Sequence, residues 1–302
     1  MGFTSQDDLI NQVTVNGKYL RRDGAKLTSP ANTAGGWHCL MGMAGSPVAS
    51  TFPGTSLGWV ACDESTGEGT NVIGIQHGGD VSTATKHLIN VGVSMVAAAG
   101  APWQAKLVDL QGYYKLSGTD VTGTASRVLT GTPTMRYTDG VGCEAFFMVG
   151  TAPTAGGPNL TASSYTNSGS TAGRAFQGSP NMGAAADAYA GRILHSGNAA
   201  GRYGPFLPKQ AGDTGIKSIQ SFTFSTGTAY TGAGVLALCI ARPICDISIP
   251  VTGMWSERDL VNQLPSMPQI KDDACLVWLL FGTGATTANS PFTYALDFAW
   301  GG

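Results

Sequence analysis

The feature that most constrains this chain is that it repeats itself. The stretch SERDLVNQLPSMPQIKDDACLVWLLFGT, Ser256 to Thr283, opens with a pattern already met as SQDDLINQV at Ser5 to Val13. Its remainder is echoed by PTMRYTDGVGCEAFFMVGT, Pro133 to Thr151, without a gap at an offset of 132 (265 − 133). Pro133 falls on Pro265, Met135 on Met267, Cys143 on Cys275, Phe146 on Trp278 and Gly150 on Gly282. An offset of 131 takes Lys217, Ile219, Phe222, Phe224 and Leu238 onto Lys86, Leu88, Val91, Val93 and Leu107. The motif ILHSG at Ile193 sits on IQHGG at Ile75 with an offset of 118 (195 − 77), so the second copy carries an insertion of 13 (131 − 118). Repeats of this length are small domains, not solenoid turns. The reading divides the chain into an arm or partial unit at 1–71, a first unit at 72–170 and a second at 171–302. What persists between the copies is apolar phase, Gly, Pro and Cys, which determine a fold and carry no shared chemistry.

Within the units the apolar pattern has the period of strands. His87 to Met95 puts Ile89, Val91, Val93 and Met95 on one face. Ser218 to Ser225 alternates Phe222 and Phe224 with small polar residues, and Phe292 to Trp300 alternates five aromatic or aliphatic residues with Thr293, Ala295, Asp297 and Ala299. Turn clusters at Ser117–Asp120, Thr154–Pro158 and Thr226–Thr228 separate such runs, and Leu27 to Thr70 reads as short strands between loops. Half-buried alternating strands are antiparallel. The expected fold is all-β: two tandem, duplicated β-sandwich or jelly-roll-like units with short peripheral helices. Those helices are Ser5 to Val13, with Ser5 as N-cap and Leu9, Ile10 and Val13 on one face, and its repeat Ser256 to Leu264, ended by Pro265.

Charged residues make up 12% of the chain against roughly a quarter in ordinary soluble domains, while Gly numbers 43. Hydrophobic content of 42% with a net charge of −2 describes a folded protein, not a disordered one. A surface so poor in charge suits a chain that spends much of it inside an assembly. Lys and Arg total 17 and are scattered, so direct nucleic-acid binding is not expected. No secretory signal and no apolar run of membrane-spanning length are present, which predicts a protein made and kept in the cytosol unless released by lysis.

The residues that could carry chemistry lack partners at the needed spacing. His77 and His195 are repeat equivalents beside turns, and His38 and His87 complete the set; no zincin or nucleophile-elbow motif accompanies them. The six cysteines, Cys39, Cys62, Cys143, Cys239, Cys245 and Cys275, form no C-x-x-C pair, so no metal is expected; Cys143 and Cys275, at one repeat position within apolar strand sequence, read as buried apolar side chains, and disulfides stay open for a product that leaves the cell. Asp7-Asp8 fits a helix first turn and Asp272-Asp273 a turn before a strand; Gly67 to Gly74 lacks the Lys of a phosphate loop. No catalytic or cofactor-binding residue is assigned. Candidate interface residues are Leu9, Ile10, Arg21, Arg22, Trp37, Arg174 and Arg202, with Arg192 a further ion-pair former.

The low charge, the capped helix and the phrases RYTDGVGCEAFFMVG, YGPFLPKQAGDTGIKSIQSFTFSTG and ERDLVNQLPSMPQIKDDACLVWLLFG resemble virion structural proteins of tailed bacteriophages. The resemblance is one of general character over most of the chain. It implies a non-enzymatic β-sandwich protein that decorates or cements a capsid shell, often as a trimer, with other virion proteins as partners and no cofactor. No long spine helix of the common head-shell fold is present. The neighbouring readings are a coat protein built from two sandwiches, and a tail or fibre module for a receptor or glycan, with Trp37, Trp59, Trp103 and Trp255 as stacking platforms.

Overall fold

A computed structural model describes residues 2–28, 35–64, 74–96, 101–121, 125–154, 157–182, 189–196, 204–225, 234–262, 267–284 and 289–302. Among the described residues the one α-helix, α1, Gln6–Thr14, is followed by β1 (Tyr19–Leu27), β2 (Gly36–Cys39), β3 (Trp59–Ala61), β4 (Thr85–Met95) and β5 (Trp103–Ser117). Then come β6 (Arg127–Val128), β7 (Glu144–Thr151), β8 (Leu160–Asn167), β9 (Ile216–Phe224) and β10 (Val235–Ile249). The chain closes with β11 (Ser256–Asp259), β12 (Gln269–Ile270), β13 (Leu276–Gly282) and β14 (Pro291–Gly301). All the strand pairs are antiparallel.

The helix forms as its sequence dictates. Ser5 Oγ accepts the Asp8 N–H at 3.0 Å, and Asp8 in turn accepts from the Thr4 N–H at 3.0 Å, which satisfies donors that the first turn leaves open. Only Leu9 is buried; Ile10 is 53% exposed, so the expected three-residue stripe is in fact one anchor. The second expected helix does not exist. Ser256–Asp259 is β11, paired with Asn90–Val93 of β4, because the open edge of β4 offers four residues of ladder that a free helix could not match. The expected stop at Pro265 lies outside the described residues, as does the turn at Thr226–Thr228.

Three sheets assemble. The first runs β1-β14-β4-β11, with β12 also on β4; the central one runs β2-β13-β5-β10-β7, with β3 also on β5; the third is β6-β9-β8. The two 15-residue strands β5 and β10 form the axis of the central sheet. One end of one face, with Trp103, Ala105 and Leu107 of β5, Ile247 and Ile249 of β10 and Trp278 of β13, packs against Val91, Val93, Met95, Phe292, Leu296 and Phe298 of the first sheet. The other end, with Tyr114, Leu116, Leu236, Leu238 and Phe147, packs against Leu160, Tyr165, Phe222 and Phe224 of the third. Burial of each such side chain contributes about 1.5–3 kcal/mol. The opposite face of the central sheet gathers Trp37 and Cys39 of β2 with Val108, Leu110, Tyr113, Phe146 and Cys239, joined in one cluster by Met41 and Ile193.

The expected boundaries at 71/72 and 170/171 do not divide these cores. Each of the two larger sheets takes strands from all three segments, and the third takes strands from the last two. The strands nevertheless recur along the chain: β4, β5, β7 and β8 begin 131 or 132 residues before β9, β10, β13 and β14 (216 − 85, 235 − 103, 276 − 144, 291 − 160). The phase expected for β4 shifts once. Asp297 pairs Asn90 and Phe298 pairs Leu88, so Ile89 is bulged and half-buried, and Leu88, not Ile89, continues the inward row.

Candidate functional site

Between the two cores the shared face of the central sheet turns polar. Asp109 of β5 and Arg242 of β10 are ladder partners, and the segment 133–138 lies over them. The Asp109 carboxylate is fully buried and receives Arg136 in a two-pronged ion pair, through Nη2 and through Nε at 3.2 Å. It also accepts the Cys275 N–H at 3.0 Å. Arg136 further donates Nη1 to the Cys62 carbonyl and Nη2 to the Leu110 carbonyl, and its own N–H reaches Gln111 Oε1 at 2.9 Å. Burial disfavours the guanidinium charge, but Asp109 outweighs it and the net effect raises the Arg136 pKa. The arginine therefore straps β3, β5, β13 and its own segment together.

Two clefts open on either side of this strap. One, of about 670 Å³, is lined by Cys62, Asp63, Thr134, Arg136, Lys217 and Asp273 among others; the second, of about 520 Å³, by Arg136, Tyr137, Asp139, Arg242, Gln269 and Lys271. Arg136 and Thr138 line both, so they form the wall that the two clefts share. The Arg242 guanidinium stacks over the Tyr137 ring at 4.1 Å, which fixes the floor of the second cleft.

The histidines hold structure. His38 and His195 are buried, and desolvation, reinforced by the nearby Arg192 charge, pushes each down to about 3, so both stay neutral near pH 7. His77 Nε2 bonds the Ala274 carbonyl at 2.9 Å and Glu64 at 3.2 Å, while Nδ1 accepts from Lys86 at 3.0 Å. Glu64 also takes the N–H groups of His77, Gly78 and Gly79 at 2.6, 3.0 and 3.0 Å, tying the loop before β4. All six cysteines are buried, and burial pushes Cys39, Cys143 and Cys245 up to about 12. Among the described residues no group of three metal-ligating side chains is placed to hold an ion.

The candidate interface residues scatter. Leu9 and Trp37 are buried, Trp37 against Phe281 at 5.4 Å, so neither offers a free surface. Arg174 is spent within the chain on Asp213, at 3.0 and 3.1 Å, locking the turn after β8. Arg192 is buried with Nη2 on the Ser196 carbonyl. Arg22 donates to the Gln76 carbonyl at 3.1 Å, and Arg21 pairs with Asp23 and Asp297 on the edge of β1. Ile10 alone of the apolar candidates faces outward, and Arg202 lies outside the described residues, as does the run Gly67 to Gly74 except Gly74 itself. Trp103 is in the first core and Trp59 packs edge-on against Tyr114 at 5.0 Å, which leaves Trp255 as the one exposed member of the stacking set.

Sequence reasoning passed over a surface cluster that the fold assembles at one corner of the first sheet. Val96, Val251, Met254 and Trp255 are 56%, 50%, 56% and 46% exposed. The turn that carries three of them is fastened to β4 by the Gly253 N–H on the Met95 carbonyl at 2.7 Å. The Trp255 indole sits against β4 at Gly92, where any Cβ would collide with the ring. A signal was present in the run Val-Thr-Gly-Met-Trp, apolar residues inside a turn, but its placement beside the end of β4, next to Val96, needs the fold. No helix among the described residues is long and apolar enough to cross a membrane. No protein-family model matches the chain, and no curated protein or solved structure matches it either.

Proposed function

We propose that the protein is a non-enzymatic structural protein of a tailed-phage virion, decorating or cementing the capsid through protein–protein contacts. The observation that carries this reading is the apolar corner of Val96, Val251, Met254 and Trp255 on a chain otherwise poor in charge. Four large apolar side chains held out at one corner, three on an ordered turn and one at the end of β4, are a surface built for burial against a partner.

The architecture supports the same role. We infer a duplicated pair of sandwiches sharing one central sheet, with strands exchanged between the copies. In that scheme β4 of the first copy pairs with β14 of the second, and β9 of the second with β8 of the first. The central pairing supports the scheme, since Trp103 opposes Ile249 and Ser117 opposes Val235, the symmetric register a two-fold relation requires. Two lobes on common 15-residue strands cannot hinge independently, which favours a static load-bearing part over one that opens and closes.

The test is cosedimentation of the purified protein with particles from a source strain deleted for it. Wild-type protein should pellet saturably, and a Met254→Ser/Trp255→Ser variant with unchanged circular dichroism should stay in the supernatant. Wild-type protein that never pellets with particles counts against the reading.

A further inference from the structure

We propose that Cys62 and Cys275 are a latent disulfide pair that closes when the protein meets an oxidising thiol–disulfide pool, stitching the end of β3 to the start of β13. The case rests on the register of the central sheet. β10 occupies one side of β5 along its whole length, so β3 and β13 share the other side, one after the other. Ala61 pairs with Gly112 and Leu276 with Asp109. Cys62 therefore stands opposite Gln111, whose carbonyl takes its N–H at 3.2 Å, and Cys275 opposite Leu110, whose N–H it accepts at 2.8 Å.

Partners of consecutive strand residues ordinarily point to opposite faces. Here they do not, because Gln111 is bulged: Ile240 pairs Gly112 and Ala241 pairs Leu110. Both thiols consequently enter the same buried layer, each with no exposed surface. The two backbones are also held in place. Arg136 grips the Cys62 carbonyl and Asp109 the Cys275 N–H, so the sulfurs meet on a braced frame.

The reaction needs an oxidant, and a small disulfide such as oxidised glutathione is the class that fits. One cysteine thiolate attacks a glutathione sulfur, the glutathione S–S bond breaks and one glutathione leaves. The second cysteine then displaces the other glutathione, forming the protein S–S bond. Both cysteine protons end on the two departing thiols. Burial above all pushes the Cys62 thiol well up, so Cys62 rests protonated and reacts on local opening. Cys62 borders the larger cleft, which gives the oxidant its approach. The closed loop spans 213 residues (275 − 62), a long constraint on the unfolded chain.

The experiment incubates the whole folded protein with oxidised glutathione, blocks remaining thiols under denaturing conditions and maps peptides by mass spectrometry. The expected product is lighter by two hydrogens, with one linked peptide pair holding Cys62 and Cys275. Cys275→Ser should abolish the link and Cys239→Ser should keep it. The urea midpoint should rise on oxidation in wild type and not in Cys62→Ser. Mapping of the wild type decides the matter even where a serine variant fails to fold. Six free thiols after exhaustive treatment, a glutathione adduct that stays on one cysteine, or a link between Cys39 and Cys239 would each overturn the proposal.

Discussion

Replacing Asp109 by Asn tests whether the strap between the lobes holds the molecule together. The substitution keeps shape and removes the charge that a buried guanidinium depends on. Arg136 is only 13% exposed at its side chain and Asp109 is not exposed at all, so water cannot take over the pairing. Leaving one partner of a buried ion pair uncompensated costs about 3–5 kcal/mol. One further contact suffers, the Cys275 N–H on Asp109, because a neutral amide oxygen accepts less strongly than a carboxylate. A double variant, Asp109→Asn/Arg136→Met, removes the stranded charge and should recover a large part of the loss. Urea unfolding followed by tryptophan fluorescence reads the effect. A cost below about 1 kcal/mol, the value of an exposed ion pair, would refute the claim that this junction is dry and structural.

Two other outcomes follow from the same coordinates. His38 and His195 have folded pKa values near 3, far below the unfolded value of about 6.5. Their contribution is complete above pH 6.5 and is lost as pH falls toward 3, because the unfolded state takes up protons that the folded state refuses. Stability should drop by roughly 1 kcal/mol per pH unit per histidine between pH 6 and 4, and His195→Gln should flatten that slope; a slope unchanged in the variant would contradict the assignment. Because β5 and β10 run through both cores, calorimetry should show a single cooperative transition. Two separate transitions would mean that the lobes fold independently.

Much of the local structure was legible in the sequence. The Ser5 cap, the inward row Phe292, Tyr294, Leu296 and Phe298, and the burial of Cys143 and Cys275 follow from spacing and polarity alone. Ser256 to Leu264 was misleading, since its apolar spacing suits a helix while the edge of β4 supplies a ladder for its first four residues. Ile89 misled for a different reason: alternation assumes an unbroken pleat, and a bulge resets the phase. The interleaving of the sheets had no local signal, because periodicity tells which face of a strand is buried and not which strand lies beside it. Arg136 likewise reads as one charge in a turn until Asp109, far away in the chain, is placed against it. The apolar corner depends on the same kind of distant meeting, between Val96 and the turn that carries Trp255.

The measurement that bears most directly on the account is the copy number of this protein in particles purified from a lysate of its source, by quantitative mass spectrometry. A capsid-decorating role predicts a count in simple ratio to the shell protein. A small count matching a neck, tail or fibre would move the protein to receptor binding, and its absence from every particle would contradict the virion reading altogether.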